Sequence, residues 1–348
     1  MSSTTYVPTS LKGFALNLIE DMEADIEQRL NFTTKPLPVL KPGQVLVKML
    51  ASPVNPSDLV YLMGQYGLPS QHDKIAGFEG CGEVIDANAG IYGKWLLGKR
   101  VALSAEPGGD GLWSDYAITQ ANYCLPVRKD ISDQQASTLI VNPCTSVCLV
   151  EKAIELGSPA IVLNAAASQV GKGVIRYAKM RGLKTIATVR SEKNKQVLEQ
   201  LQADVVINTQ YPDTEQQLSE ACHRLNATVF LDAVADIDTA KTLSCMPKNS
   251  TAIVYGRLTE TLSPFGGQYG VGDLIFRGQR IEGFWLATHM RNAKPWQILS
   301  LSRKVQKLFA QGVFKTDIYG VFNQAQFIEA LSHYSKHKSD GKVILRFD

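Results

Sequence analysis

One stretch in the middle of the chain constrains its fold more than any other. Residues 160–163 form a short apolar run that is typical of a buried strand, and a turn of small residues follows. Valine or alanine then recurs at every fourth position from Val170 to Ala178, which predicts the apolar face of an amphipathic helix. Gly182 ends that helix, and residues 183–189 form a second apolar run. The pattern predicts a strand–helix–strand unit, and hence a parallel sheet.

The turn inside this unit can be compared with the dinucleotide fingerprint G-x-G-x-x-G. The three glycine positions fall on Ala166, Ser168 and Gly171, so only the third is glycine. Small residues still let the backbone approach a pyrophosphate, whose charge would be stabilised at the helix N-terminus. Two interpretations stay open at this point: a dinucleotide site, or an ordinary structural crossover.

The two parts of the chain differ in pattern. From residue 160 onward, short apolar strands alternate with amphipathic helices, which predicts an α/β fold with a doubly wound parallel sheet. Residues 1 to about 140 show short β-like runs broken by Pro and Gly, which predict a small, mostly antiparallel β domain. The tail from Gly341 to Phe347 is expected to form a strand that returns to that first domain. The predicted strands are 44–50, 82–85, 100–103, 160–164, 184–189, 204–208, 227–231, 250–255 and 280–284, and the predicted helices are 170–181, 192–201, 214–224, 236–246 and 295–311.

Composition argues against several classes of protein. The 348 residues include 36 Lys and Arg against 33 Asp and Glu, and a net charge of +3 without a dense basic run argues against a nucleic-acid partner. No apolar run approaches the roughly 18 residues that span a bilayer, so no membrane association is expected. The N-terminal sequence lacks the apolar core of a signal peptide and the Arg-rich pattern of a transit peptide, which predicts a cytoplasmic location.

The cysteines and histidines do not suggest a metal or hydrolase site. The six cysteines are scattered without the spacing of a zinc cluster or a disulfide framework, and they are expected to be buried thiols. The five histidines show no pairing with a Ser or Cys nucleophile. We therefore find no case for a hydrolase.

Eight short motifs follow one another from about residue 42: Val54-Asn55-Pro56-Ser57-Asp58, Gly64-Gln65-Tyr66-Gly67, Val141-Asn142-Pro143-Cys144-Thr145, Asn164 to Gly171, Val189-Arg190, Tyr255-Gly256, Leu274-Ile275-Phe276 and Gly283-Phe284-Trp285-Leu286. In this order they resemble the medium-chain dehydrogenase/reductase superfamily. Within it the chain resembles the zinc-free quinone-oxidoreductase-like branch, and most closely the 2-enoyl thioester reductases. The resemblance implies a GroES-like catalytic domain at 1–140, to which residues 285–348 return, and a Rossmann NADP-binding domain at 141–284.

The resemblance also implies a site without metal. Zinc-dependent relatives carry Cys where this chain has Asn55, and Gly-His-Glu where it has Gly77-Phe78-Glu79. Asn is a poor zinc ligand and Phe is none. Residues 82 to 115 contain no cysteine, so the four-cysteine zinc lobe is missing. Glu79 is then expected to have a structural role.

Tyr66 is the candidate catalytic residue. Without a metal, hydrogen bonds must polarise the substrate and a side chain must supply the proton. Tyr66 matches the tyrosine that is taken as proton donor to the substrate α-carbon in the thioester reductases. A free tyrosine has a pKa of about 10, so its hydroxyl is protonated at neutral pH. The alternative is a packing or surface tyrosine, one of 12 in the chain, as we expect of Tyr61.

The end of the second strand indicates the cofactor. NAD sites place Asp or Glu there, whereas this chain has Arg190 followed by Ser191 and Lys193, and a guanidinium can bind a 2′-phosphate. The sequence therefore predicts NADPH, with a solvated helix start as the alternative. The other residues that the resemblance places at the cofactor are Asn55, Asn142, Thr145, Ala167, Ser168, Gln169, Val170, Gly171, Tyr255, Gly256, Phe284, Trp285, Leu286 and Lys342.

Some of these residues have a second interpretation. Asn before Pro favours a turn, which is the alternative for Asn55 and Asn142. A solvated tail lysine is the alternative for Lys342. Residues 280–286 could also form an edge strand that pairs two subunits, and this predicts a homodimer.

Together these inferences predict an NADPH-dependent reductase of activated C=C bonds. The expected substrates are 2-enoyl thioesters, small molecules linked to coenzyme A or to an acyl carrier protein, as in fatty acid metabolism. An NADPH:quinone oxidoreductase or alkenal reductase on the same scaffold is one alternative. A non-catalytic NADPH-binding sensor or structural protein is another, since a fold does not fix a function.

Overall fold

The computed structural model describes residues 8–21, 23–259 and 266–347. Its strands are β1 Ser10–Leu16, β2 Leu30–Pro36, β3 Gln44–Pro53, β4 Glu79–Asn88, β5 Arg100–Ser104, β6 Tyr116–Gln120, β7 Cys124–Pro126, β8 Ala160–Leu163, β9 Lys184–Val189, β10 Val205–Asn208, β11 Val229–Asp232, β12 Thr251–Val254, β13 Arg280–Gly283, β14 Ile318–Phe322 and β15 Lys342–Leu345. Its α-helices are α1 Pro56–Leu62, α2 Gly90–Leu96, α3 Asp133–Ala136, α4 Val141–Glu155, α5 Gln169–Met180, α6 Glu192–Gln200, α7 Thr214–Leu225, α8 Ile237–Ser244, α9 Val271–Phe276, α10 Leu286–Asn292, α11 Pro295–Ala310 and α12 Gln324–Lys336.

The chain divides into two compact units. Unit 1 extends to Val141 and resumes at Lys315, and unit 2 is Asn142–Phe314. The first boundary lies within one residue of the predicted one. The second differs: residues 285–314 belong to unit 2 rather than returning to the first domain. The reason is that α11 and the segment after it bond to the helices of unit 2, as in the ion pair between Lys304 and Glu151 at 3.0 Å.

Unit 1 is mostly antiparallel, as the sequence predicts. β1 pairs with β2, and a larger sheet has the order β14-β15-β3-β4-β5-β7, with β6 also paired to β3. The tail strand β15 lies against β3, with Ile344 opposite Pro53, so the chain does return to the first domain at its end. The buried indole of Trp113 packs against the ring of Phe327 at 5.0 Å, and Nε1 of Trp113 donates to the Pro53 carbonyl at 3.1 Å.

Unit 2 contains the predicted doubly wound sheet. Its strand order is β10-β9-β8-β11-β12-β13, and every neighbouring pair is parallel. β8 and β11 are buried along their whole length, as expected of central strands covered on both faces. The predicted strands and helices of this unit begin and end within two residues of the observed ones. Three helices of this unit, α4, α9 and α10, have no counterpart among the predicted elements, and α9 and α10 are too short for their periodicity to be recognised.

No helix in the described ranges is both long and apolar enough to span a bilayer.

Candidate functional site

The predicted cofactor residues of unit 2 lie at one edge of the parallel sheet. Asn164 follows β8, Arg190 follows β9, Tyr255 follows β12 and Phe284 follows β13. Because the strands are parallel, these segments share the carboxyl edge of the sheet. The strand order reverses between β8 and β11, and doubly wound sheets bind their ligands in the crevice at that point.

The turn between β8 and α5 is shaped by one serine and one glycine. The Ser168 hydroxyl caps α5 by accepting a hydrogen bond from the Gly171 N–H at 3.1 Å. A Cβ at Gly171 would lie only 2.4 Å from the Ala166 carbonyl oxygen, so the backbone here leaves no room for a side chain. Ala165 adopts a positive φ of 43° in the same turn. These features give a helix N-terminus with a closely approaching backbone, which suits a pyrophosphate.

A buried carboxylate stabilises the crevice at the strand reversal. Asp232, the last residue of β11, is fully buried, and its Oδ1 accepts hydrogen bonds from Asn164 Nδ2 at 2.6 Å and from the N–H groups of Val234 and Ala235 at 2.9 Å each. Its Oδ2 accepts from the Thr239 hydroxyl. Asp232 thereby ties the end of β11 and the loop after it to the turn that follows β8.

The first turn of α4 contributes an unsatisfied donor. Asn142 is 8% exposed, and its Nδ2 has no hydrogen-bond partner among the described residues. The Ser146 hydroxyl lies 2.9 Å from the Asn142 carbonyl and 3.1 Å from the Val170 carbonyl, so the first turns of α4 and α5 are in contact. Thr145 lies in the same turn of α4 and is equally buried. A buried donor without a partner beside the α5 N-terminus fits a polar ligand such as a dinucleotide.

The charged end of β9 lies at the surface. Arg190 and Lys193 are exposed, and Ser191 caps α6 by accepting from the Asn194 N–H at 3.3 Å. Glu192, the one acidic residue of this segment, lies 3.4 Å from Asn208 Nδ2 at the end of β10. Glu192 therefore has a protein partner, and the cationic Arg190 remains the charged side chain that immediately follows β9.

The segments after β12 and β13 are partly buried. A Cβ at Gly256 would lie 2.8 Å from the Ala233 carbonyl, so close packing against the β11 loop requires this glycine. Burial is the main effect that raises the pKa of the neighbouring Tyr255, so its hydroxyl stays neutral. The Phe284 N–H donates to Val254 at 2.8 Å, which fixes the start of the segment up to Leu286. The partly exposed residues at this edge also include Ala167, Gln169, Val170 and Trp285.

In unit 1, the candidate proton donor rests on an aromatic ring. Tyr66 is partly buried in the irregular segment between α1 and β4. Its ring centroid lies 4.9 Å from that of Phe78, and the ring of Tyr61 lies 5.2 Å from Phe78 in an edge-on arrangement. Phe78 immediately precedes β4 and is itself partly exposed. Tyr61 packs as the sequence predicts, and burial raises its pKa.

A buried polar cluster lies around the start of α1. Lys342, only 2% exposed, has its ammonium within hydrogen-bonding distance of three oxygens: Asn55 Oδ1 at 2.6 Å, the Val54 carbonyl at 2.9 Å and the Tyr334 hydroxyl at 3.2 Å. These three bonds use all three N–H groups of the ammonium. The solvated alternative for Lys342 is therefore wrong. A direct bond from Lys342 to a cofactor would require one of these bonds to be given up.

Glu79 connects this cluster to the start of α4. Its Oε1 accepts from Asn55 Nδ2 at 2.9 Å, and its Oε2 accepts from the N–H groups of Ile140 and Val141 at 3.1 and 2.8 Å. Asn55 thus has its side-chain oxygen bonded to Lys342 and its nitrogen bonded to Glu79. The expected structural role of Glu79 is observed in these bonds.

Asp58 completes the cluster and connects it to the aromatic ring. Its Oδ2 accepts from the Asn55 N–H at 2.7 Å, and its Oδ1 accepts from the Phe78 N–H at 3.0 Å. Burial raises the pKa of Asp58 to about 7, raises that of Glu79 and lowers that of Lys342 to about 8. The positive charge of Lys342 opposes the rise at both carboxyls.

The sequence interpretation missed three of these residues. Asp58 comes three residues after the helix cap Asn55, and this spacing is the known signal for a side chain that bonds back to the cap N–H. Asp232 ends an apolar strand run, where an acidic residue needs partners. Tyr334 gave no signal in the sequence, because it lies in the middle of an ordinary amphipathic helix.

Two family models match the chain: an alcohol dehydrogenase GroES-like domain over residues 41–129 and a zinc-binding dehydrogenase over residues 170–301. The mitochondrial enoyl-[acyl-carrier-protein] reductase of Dictyostelium discoideum is 31% identical over 247 residues, which are 70% of this chain and 69% of that protein. The corresponding protein of Bos taurus is 31% identical, over 78% of this chain and 72% of its own length. This chain belongs to the medium-chain dehydrogenase/reductase superfamily.

Solved structures of other reductases are similar to this oxidoreductase over nearly its whole length. A protein from Mesorhizobium loti assigned as an NADPH:quinone reductase has a TM-score of 0.89 at 32% identity, over 98% of this chain and all of that one. A 2-enoyl thioester reductase from Candida tropicalis, solved with NADP and crotonyl-CoA, has a TM-score of 0.78 at 18% identity, over 97% of this chain and all of that one. The predicted superfamily, the enoyl and quinone reductase branch and the two-part fold are therefore confirmed.

The matched zinc-binding dehydrogenase model covers residues 170–301, a range that does not include Asn55 or Phe78. In the part of the chain that the structure describes, no group of three or more His, Cys, Asp or Glu side chains is arranged to hold a metal ion. At the positions of the zinc ligands, Asn55 and Glu79 bond to each other and Phe78 packs on Tyr66. These residues are thus engaged in protein contacts.

Proposed function

We propose that this oxidoreductase uses NADPH to reduce the C=C bond of 2-enoyl thioesters, with Tyr66 as the proton donor. The observation that carries the proposal is the partly exposed Tyr66, which rests on Phe78 next to the buried Asn55–Glu79 pair. Tyr66 and Asn55 match the thioester reductase motifs, and relatives at 31% identity are enoyl-[acyl-carrier-protein] reductases.

The chemistry divides between the cofactor and the chain. NADPH, when bound, supplies the hydride that is added to the β-carbon of the enoyl group. The Tyr66 O–H bond then breaks and a C–H bond forms at the α-carbon, so that the thioester leaves saturated. Solvent returns the proton to the phenolate. A phenol stays protonated at neutral pH and can therefore act as an acid there.

Residues of unit 2 would hold the cofactor. The N-terminus of α5 with Ser168 and Gly171 suits the pyrophosphate. Asn142 Nδ2, which has no partner among the described residues, offers a donor to a polar group of the ligand. Arg190 would bind the 2′-phosphate, for which an exposed guanidinium after β9 is better suited than a carboxylate. This arrangement favours NADPH over NADH.

An NADPH:quinone reductase is the second candidate. It is favoured by the similarity to the Mesorhizobium loti protein at 32% identity over nearly the whole chain. A reduced quinone takes its protons on oxygen and can take them from solvent, so this reaction would not need Tyr66.

The test is the oxidation of NADPH by the purified protein with three acceptors: crotonyl-CoA, a 2-alkenal and benzoquinone. We expect the highest kcat/KM with crotonyl-CoA, with butyryl-CoA identified by mass spectrometry as the product. A chelator should leave the rate unchanged. Turnover of the quinone alone would instead favour the second candidate, and no turnover of any acceptor would favour a non-catalytic NADPH-binding protein.

We also propose a homodimer formed along β13, the terminal strand of the sheet in unit 2. All four residues of β13 are exposed, and Ile281 and the nearby Phe276 place apolar side chains in water at 37% and 80% exposure. Ile281→Asp should shift the protein from dimer to monomer in light scattering at micromolar concentration. Ile91→Asp is the matched control, since Ile91 is an exposed apolar residue of unit 1. A monomeric parent protein would contradict the proposal.

A cytoplasmic location is a further proposal. The curated relatives named above are mitochondrial, so these two locations are the alternatives to be tested. Fluorescence imaging of the full chain with a C-terminal tag would distinguish the two locations.

A further inference from the structure

The ring of Phe78 contacts the rings of two tyrosines, Tyr66 and Tyr61. The centroid of Tyr66 lies 4.9 Å away with the planes tilted by 32°, and that of Tyr61 lies 5.2 Å away with the planes at 63°. Offset and edge-on contacts at these separations are the favourable geometries for aromatic pairs. The ring of Phe78 therefore has defined contacts with both neighbours.

The backbone of Phe78 is held from several directions. Its N–H donates to Asp58 Oδ1 at 3.0 Å, and its carbonyl accepts from the Ala105 N–H at 2.9 Å. The preceding Gly77 has a φ of 95°, and a Cβ there would lie 2.4 Å from Cδ1 of the buried Trp113. The residue thus has little freedom to shift.

The backbone around Tyr66 is less regular than that around Phe78. Tyr66 lies in an irregular segment between α1 and β4, where no helix or strand fixes the direction of its side chain. Its ring packs on the rigid ring of Phe78, with the centroids 4.9 Å apart and the planes tilted by 32°. This ring contact restricts the tilt of the phenol, and with it the direction of the hydroxyl.

We propose that Phe78 is a positioning residue for the proton donor: Asp58 fixes Phe78, and the ring of Phe78 orients Tyr66. The inference rests on the proposed function, since only proton transfer to the α-carbon depends on the direction of the Tyr66 hydroxyl. Catalytic groups must be held close to the productive geometry, and a displacement of about 1 Å can lower the rate by about 100-fold.

A double-mutant cycle tests the inference. Phe78→Leu should lower kcat with crotonyl-CoA by about tenfold or more and leave the KM for NADPH unchanged. In the Tyr66→Phe background, Phe78→Leu should cause no further loss. Phe78→Tyr, which keeps the ring, should retain most of the turnover. Phe32→Leu is the matched control, since it removes a half-exposed ring that pairs with Phe14 at 5.1 Å elsewhere in unit 1.

A second measurement does not depend on turnover. In protein labelled with 3-fluorotyrosine, Tyr66→Phe identifies the fluorine resonance of Tyr66, and Phe78→Leu should shift or broaden that resonance while Phe32→Leu leaves it unchanged. An unchanged resonance overturns the inference, and so does an equal loss of turnover in both Tyr66 backgrounds. If the parent does not reduce crotonyl-CoA, the proposed function fails, and the resonance alone decides whether Phe78 positions Tyr66.

Discussion

The candidate residues of unit 1 and those of unit 2 are organised by different kinds of atoms. Unit 2 uses mainly backbone: a helix N-terminus capped by Ser168, a close approach at Gly171, and loop N–H groups gathered by Asp232. Unit 1 uses side chains: Tyr66 on its aromatic support and a buried cluster around Lys342. A site made of backbone atoms tolerates side-chain substitutions. A site made of side chains can lose its function when one side-chain atom is removed.

The two units also bury their carboxylates differently. Asp232 accepts hydrogen bonds from four separate N–H and O–H donors. Asp58 and Glu79 share the single ammonium of Lys342. One substitution removes at most one of the four donors to Asp232, two of which are backbone N–H groups, whereas one substitution removes the whole charge of Lys342. We therefore expect unit 1 to respond more strongly to pH and to mutation.

The largest effect is expected at Tyr66. Tyr66→Phe removes one oxygen, so the fold and the affinity for NADPH should stay nearly intact, while turnover of crotonyl-CoA falls by roughly 10²–10⁴. Turnover of benzoquinone should change far less. Tyr61→Phe, at the other tyrosine that packs on Phe78, is the matched control. Equal thioester turnover in Tyr66→Phe and the parent would remove the main support for the thioester assignment.

The next effect concerns the buried cation. Lys342→Met should lower the free energy of unfolding by about 3–5 kcal/mol at neutral pH, because two buried carboxyls lose their counter-charge. Chemical denaturation would measure this. Lys48→Met, at an exposed lysine of β3, should have little effect.

The pH dependence of Lys342→Met has a defined sign. Burial raises the pKa of Asp58 to about 7 and raises that of Glu79, so the folded state loses stability as pH rises from the ordinary carboxyl pKa of about 4 through these values. Lys342, whose pKa is lowered to about 8, has the opposite sign: its contribution is lost as pH falls from about 10.4 through 8. Without Lys342 the carboxyl pKa values rise further. The stability gap between parent and variant should therefore widen from pH 5 to pH 9, and a gap that does not change with pH would contradict this account.

A smaller effect is expected at the end of β9. Arg190→Ala should weaken NADPH binding by about 1.5–3 kcal/mol and leave NADH binding nearly unchanged, since hydrogen bonds between charged groups contribute that much. Calorimetric dissociation constants for both cofactors would test this, with Arg224→Ala as a control at an exposed arginine of α7. Equal constants for NADPH and NADH in the parent would refute the predicted preference.

The smallest effect is expected at two helix caps, one in each unit, which allows a direct comparison of the units. Ser168→Ala and Ser132→Ala each remove a helix cap, in unit 2 and unit 1 respectively, and each should lower stability by about 0.5–2 kcal/mol. Only Ser168→Ala should also weaken NADPH binding. If the two variants bind NADPH equally well, the α5 N-terminus is not part of the cofactor site.

Much of unit 2 could be predicted from the sequence, because its signals are local. Apolar runs and a four-residue repeat decide strands and helices, and Gly182 ends α5 wherever the chain goes next. The positions of Ser168, Gly171 and Arg190 follow from that order, since each stands next to a strand or helix end. The boundary at Phe314 was not predictable, because it depends on which unit α11 packs against.

Only the tertiary structure decided the polar interior of unit 1. Lys342 bonds to Val54 across 288 positions of the chain, and Asp58 bonds to Phe78 across 20. A lysine near the end of a chain is usually solvated, and its burial becomes favourable only where folding brings carboxyls and carbonyls around it. Periodicity along the sequence thus determined the strands, the helices and the nucleotide turn. The buried polar cluster around Lys342 depends instead on long-range compensation of charge, which no local pattern records.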